Sequence, residues 1–189
     1  MRLSELTTLP NLITLYRVVV AAPIVLLLVS GSPHALWVAF VLMVVAEVSD
    51  AVDGYAARRL QQVSDIGKIL DPLADSFYRV SVFAAFAANE WMPIWMLLVM
   101  VWRDIGVAYL RVIAEQTRET LGARQSGKLK AVAQGGAQLL VALVYAVSGA
   151  ATPSSGVSWL WFVLLAATAI TAISLIDYAM DVLSRRRRA

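Results

Sequence analysis

The chain predicts an all-α integral membrane protein, with six transmembrane helices in one bundle and both termini in the cytoplasm. Three observations predict it. Of the 189 residues, 60% are hydrophobic and the mean hydropathy is +0.72, well above the ~45–50% apolar content of soluble domains. The apolar residues fall into six runs of about 20, the length that crosses a bilayer. Basic residues occupy every second connection, the pattern that orients a multi-pass chain.

The predicted spans are Asn11–Val29, Ala35–Ala57, Leu70–Ala88, Met92–Ala114, Leu129–Ser148 and Trp159–Met180. Turn-forming segments divide them: Ser30-Gly31-Ser32-Pro33, Gln61–Gly67, Asn89-Glu90, Thr117–Gly127 and Thr152–Gly156. Met1–Ser30 has a basic start and an apolar stretch, but Arg17 interrupts it and five further spans follow, so it reads as an uncleaved first helix. Residues 1–189 form a single membrane domain, with a short interfacial segment at 1–10 and a basic tail at 182–189.

Charge sets the orientation. Arg2 precedes the first span, Arg58, Arg59 and Lys68 lie between spans two and three, and Arg118, Arg124 and Lys128 between spans four and five. Arg185–Arg188 close the chain, and the other three connections contain no Lys or Arg. Both termini are thereby predicted in the cytoplasm of a cell whose cytoplasmic (inner) membrane holds the bundle. Trp91, Trp95, Trp159 and Trp161 lie at the opposite ends of their spans, where interfacial anchors belong. The chain has no cysteine and a single histidine, His34, which excludes disulfides, thiolate metal sites and His clusters. Nothing in the pattern points to nucleic acid.

The residues that carry chemistry lie between spans two and three. Asp50 and Asp53 share a face at the end of span two, and Asp71 and Asp75 share one at the start of span three. The short connection predicts that these spans are antiparallel neighbours, so the four carboxylates converge just inside the cytoplasmic interface. Four acids so close repel one another unless a cation is present, and hard oxygen ligands suit Mg²⁺, Mn²⁺ or Ca²⁺. Gly54, Ala57 and Gly67 leave room for a ligand beside the acids, and Arg58 is placed to meet a phosphate oxygen.

A second set of cations lies further along. Arg79 is one turn beyond Asp75, Arg103 and Arg111 fall near one face of span four, and Lys128 and Lys130 open span five. A neutral alcohol does not need such a cluster; a phosphorylated one does. Asp177 and Asp181, one turn apart near the end of span six, read as interfacial residues balancing the Arg run, and Gly135 and Gly136 predict close helix packing.

The window Asp50-x2-Asp53-Gly54-x2-Ala57-Arg58-x8-Gly67-x3-Asp71-x3-Asp75 resembles, at every defined position, the signature of the CDP-alcohol phosphotransferases. The resemblance implies transfer of a substituted phosphate from a CDP-linked donor to an alcohol, with release of CMP. It implies two Mg²⁺ or Mn²⁺ ions held by Asp50, Asp53, Asp71 and Asp75, with Asp75 also the general base. It further implies a CDP and diphosphate pocket lined by Gly54, Ala57, Arg58, Ser64 and Gly67, and a homodimer in the lipid bilayer. Leu9-Pro-Asn-Leu-Ile-Thr-Leu-Tyr-Arg17, Asp71-Pro-Leu-Ala-Asp75, the Arg103 and Arg111 pair, and Gly127-Lys-x-Lys-x3-Gln134 resemble the phosphatidylglycerophosphate synthase branch. That likeness implies CDP-diacylglycerol as donor and glycerol 3-phosphate as acceptor, bound by Arg79, Arg103, Arg111, Lys128 and Lys130. The branch usually has Lys where this chain has Ser76, and Arg-Glu where it has Arg103-Asp104. The alternatives are the same chemistry on another acceptor, such as inositol phosphate, or a divalent-cation or proton-coupled transporter, since intramembrane acids also mark ion pathways.

Overall fold

A computed structural model describes residues 9–59, 65–116, 125–149 and 158–186, and the described residues are helical without a strand. The helices are α1 (Leu9–Ser30), α2 (Pro33–Arg59), α3 (Asp65–Ala88), α4 (Ile94–Gln116), α5 (Gln125–Ser148) and α6 (Ser158–Arg186). Each coincides with one predicted span to within a few residues at either end. The interfacial segment 1–8, Ser64, Arg118, Arg124 and the tail residues 187–189 lie outside the described residues, as do the side chains of 50–59.

Two helices, α5 and α6, are long and apolar enough to cross a membrane. Helices α1 and α2 are also apolar over Thr14–Ser30 and Pro33–Ser49. In α3 and α4 charges interrupt the apolar run: Asp71, Asp75 and Arg79 in the first, Arg103, Asp104 and Arg111 in the second. The distribution of side chains differs from that of a soluble bundle. Val19, Leu26, Trp102, Tyr109, Val132 and Phe162 are exposed, while Arg79, Arg103, Lys130, Gln134 and Gln138 are buried. Apolar side chains outside and polar ones within suit an apolar solvent, where a buried polar group needs a protein partner.

Helix α1 is central to one half of the bundle, packing against both α2 and α3, and α6 is central to the other, packing against α4 and α5. The halves join where α2 meets α5 and where α3 meets α4 and α5. Among the described residues α1 lies against both α2 and α3, and Arg79 of α3 reaches Glu47 of α2 directly.

The end of the bundle away from the acids is a dry core of Leu28, Met43, Phe83, Phe86, Met96 and Val141. Trp91 belongs to it. Its ring stacks on Tyr145 at 3.8 Å and 3°, and only 5% of the residue is exposed. It is a core side chain, whereas Trp95, Trp159 and Trp161 are exposed as interfacial anchors would be. The reason is the turn that ends α3. The Trp91 N–H donates to the Phe86 carbonyl (2.9 Å), the Glu90 N–H donates to the Ala87 carbonyl (3.1 Å), and Glu90 has φ +59°. This is a Schellman ending, and its usual apolar contact is the Trp91 ring against Phe86 (5.3 Å). The Asn89 side-chain amide donates to the Leu28 carbonyl (3.1 Å), tying the turn to the end of α1. Glu90 occupies a left-handed position that glycine fills without steric cost, so Glu90→Gly is expected to stabilise the fold by about 1 kcal/mol, read as a raised melting temperature in detergent.

Candidate active site

Asp71, Asp75 and Arg79 follow one another at intervals of four on α3 and so form one stripe along the helix. Each carboxylate is held from one side. The buried Thr14 hydroxyl of α1 donates to Asp71 Oδ1 (2.7 Å), and Arg79 Nε donates to Asp75 Oδ1 (2.7 Å). Asp71 is exposed, Asp75 is half-buried, and Gly67, one turn before Asp71, is buried. Among the described residues these two acids are not joined by a third to make a metal-binding group.

Arg79 connects this stripe to α2. Its Nη1 lies 3.1 Å from Glu47 Oε1 and its Nη2 donates to Glu47 Oε2 (3.3 Å). Glu47 stands one helical turn before Asp50, as Arg79 stands one turn after Asp75. Asp50, Asp53, Gly54, Ala57 and Arg58 continue α2 past Glu47, and their side chains lie outside the described residues.

A second polar cluster adjoins the first. Asp104 on α4 is its hub: Arg103 Nη1 lies 3.0 Å from Asp104 Oδ1, Lys130 Nζ lies 3.0 Å from the same oxygen, and Ser76 lies close by. Ser76 and Asp104, the two departures from the branch pattern, are therefore neighbours. Asp75 is near enough to Lys130 to act on its charge, so the two clusters are electrostatically continuous. Arg103 Nε donates to Ser174 Oγ (2.8 Å). The guanidinium groups of Arg103 and Arg111 both lie over the buried Tyr178 ring, at 5.7 and 5.9 Å, a cation–π distance.

Of the predicted acceptor-site residues, Arg103, Arg111 and Lys130 gather around Asp104 and Tyr178. Arg79 belongs to the Asp75 side, and Lys128 is exposed on the first turn of α5. Asp177 is not merely a counterweight to the Arg tail, because the Ser126 hydroxyl donates to it (2.6 Å) and joins the start of α5 to α6. Gly135 meets the expectation of close packing, since a Cβ there would lie 2.7 Å from Arg79 Nη1. Gly136 does not, having nothing within 4 Å of such a Cβ.

Sequence reasoning missed Glu47, Thr14, Gln138, Ser174 and Tyr178. Glu47 carried a usable signal, an acid one turn before Asp50 in an apolar run. The hydroxyl residues carried none, because Ser and Thr are common in membrane helices.

The sequence matches the family model of the CDP-alcohol phosphatidyltransferases over residues 7–176. The Bacillus subtilis (strain 168) CDP-diacylglycerol–glycerol-3-phosphate 3-phosphatidyltransferase is 32% identical over 138 residues, 67% of this chain and 72% of that protein. The Mycoplasma pneumoniae protein of the same name is 30% identical over 199 residues, 92% of this chain and 87% of its own. A Streptomyces coelicolor protein named cardiolipin synthase (CMP-forming) is 34% identical over 101 residues, 51% of this chain and 46% of its own. With a match that spans nearly the whole helical bundle and includes both polar clusters, the chain belongs to the CDP-alcohol phosphatidyltransferase family.

Proposed function

We propose that this protein is a membrane-embedded phosphatidyltransferase that moves the phosphatidyl group of CDP-diacylglycerol to glycerol 3-phosphate, giving phosphatidylglycerophosphate and CMP. The observation that carries this reading is the pair of buried cations, Arg103 and Lys130, beside Asp75. A buried cation cluster next to a general base suits an alcohol that itself bears a phosphate. The names of the Bacillus and Mycoplasma relatives support the same acceptor.

The chemistry is an in-line displacement. Asp75 Oδ2 takes the proton of the acceptor hydroxyl while that oxygen bonds to the phosphatidyl phosphorus. The bond from this phosphorus to the bridging oxygen breaks, and CMP leaves with the electron pair. Arg103, Arg111 and Lys130 hold the acceptor phosphate, while Arg58, Gly54, Ala57, Ser64 and Gly67 receive the CDP group. Lys128, exposed at the mouth, draws the anionic acceptor in. Asp50, Asp53, Asp71 and Asp75 suit two Mg²⁺ or Mn²⁺ ions, which when bound clamp the diphosphate and offset the charge that develops on it.

In this reading all six helices span the inner membrane of the cell as one domain, with both termini and the site on the cytoplasmic side. The acyl chains remain in lipid while the CDP group meets its soluble partner. The protein is a homodimer in this reading. Purified protein with CDP-diacylglycerol should release CMP with glycerol 3-phosphate and not with glycerol, inositol phosphate or phosphatidylglycerol. Release with one of the others in its place would reassign the acceptor, and cation flux into liposomes without CMP release would favour a transporter.

A further inference from the structure

We propose that Glu47, Arg79 and Gly135 form a clamp that positions the Asp75 carboxylate, so that Arg79 acts through Asp75 and not on the acceptor phosphate. The clamp rests on the reading of Asp75 as the general base and deepens it.

Both edges of the Arg79 guanidinium face acids. Nε donates to Asp75 Oδ1 at 2.7 Å, and Nη1 and Nη2 lie 3.1 and 3.3 Å from the two Glu47 oxygens. With both edges of the guanidinium on carboxylates, an incoming phosphate would have to break a buried ion pair to reach it. Holding Oδ1 also stops the Asp75 carboxylate from turning about its last torsion, and leaves Oδ2 for the proton. Proton transfer is sensitive to such orientation: a misplacement of ~1 Å can cost about a hundredfold in rate.

Helix α5 fixes Arg79 at both its ends. Gln138 Nε2 donates to the Arg79 backbone carbonyl (2.8 Å), while Gly135, one turn earlier, lies against the guanidinium. A Cβ at 135 would sit 2.7 Å from Arg79 Nη1 and 2.9 Å from Glu47 Oε2, inside contact distance of both halves of the pair. The ion pair thereby links α3 to α2, the other acid-bearing helix.

The test uses the full chain in detergent with CDP-diacylglycerol, and compares Gly135→Ala, Glu47→Gln and Arg79→Lys with Gly136→Ala as the neighbouring control. In the three clamp variants kcat should fall about 10- to 100-fold, with the KM for glycerol 3-phosphate changed by less than about twofold and CDP-diacylglycerol binding retained. The double variant Glu47→Gln/Arg79→Lys should be no worse than the weaker single one, because both remove one linkage. Independently of turnover, Mn²⁺ affinity by electron paramagnetic resonance should weaken about tenfold in Gly135→Ala, since Asp75 is a ligand and its support has moved. Gly136→Ala should match the parent in every measurement. A large rise in KM at unchanged kcat would make Arg79 an acceptor ligand and overturn the clamp. So would a Gly135→Ala protein with unchanged kcat and Mn²⁺ affinity, or losses that only track a lower melting temperature. A parent protein that releases no CMP defeats the transferase reading instead, and the Mn²⁺ comparison still decides the clamp.

Discussion

Asp75→Asn is expected to lower kcat by about three orders of magnitude while largely sparing CDP-diacylglycerol binding. General-base catalysis contributes roughly 10²–10⁴, and the same carboxylate is a proposed metal ligand, so the loss belongs well above the bottom of that range. The substitution is isosteric, and the asparagine oxygen can still accept from Arg79 Nε at the position Asp75 Oδ1 holds now. The fold and the clamp around it are therefore retained, and the change reports on the carboxylate itself. Single-turnover CMP release together with equilibrium binding of the CDP-lipid separates the two roles. A variant that keeps a tenth or more of the parent's turnover would remove Asp75 from the chemistry.

The second large effect is on stability. Asp104 is the shared counter-charge of Arg103 and Lys130, with all three side chains at most 9% exposed. Asp104→Asn leaves two buried cations without their shared ion-pair partner, with the neutral Ser174 and Tyr178 ring beside Arg103. Removing one partner of a buried ion pair costs about 3–5 kcal/mol. For a chain of this size that lowers the melting temperature by about 6–20 °C. Millimolar glycerol 3-phosphate should restore part of the loss, and raise the melting temperature of the variant more than that of the parent, because a dianion then replaces the missing carboxylate. A shift under about 2 °C would show that the hub contributes little. No recovery with the ligand would separate this cluster from the acceptor site.

The helical framework was legible because the bilayer imposes it. A run of some 20 apolar residues has few folded options other than a helix, and each of the six runs coincides with one of α1 to α6. The acid window was legible for a related reason. Charges at the edge of an apolar run are costly, so Asp71, Asp75 and Arg79 stood out, and a spacing of four places them on one stripe. Partners across helices were another matter. Ser76 and Asp104 read as two separate departures from a pattern, and they lie side by side. Trp91 read as an interfacial anchor, and the turn at Glu90 folds it against Phe86 and Tyr145. Gly135 and Gly136 read alike, yet one helix position apart they face Arg79 and open space.

By itself, then, the sequence determined the element order, the all-helical class, the stripe of acids on α3 and the family, because each follows from local composition and fixed spacing. Only the tertiary structure decided that α1 packs against both acid-bearing helices, that Glu47 takes Arg79, and that Asp104 gathers Arg103 and Lys130. The physical reason is range. Hydropathy and i, i+4 spacing act within one helix, whereas the pairing of buried charges depends on which faces meet. That is settled by packing between residues dozens of positions apart, such as Glu47 and Arg79, where one missing Cβ at Gly135 leaves the room.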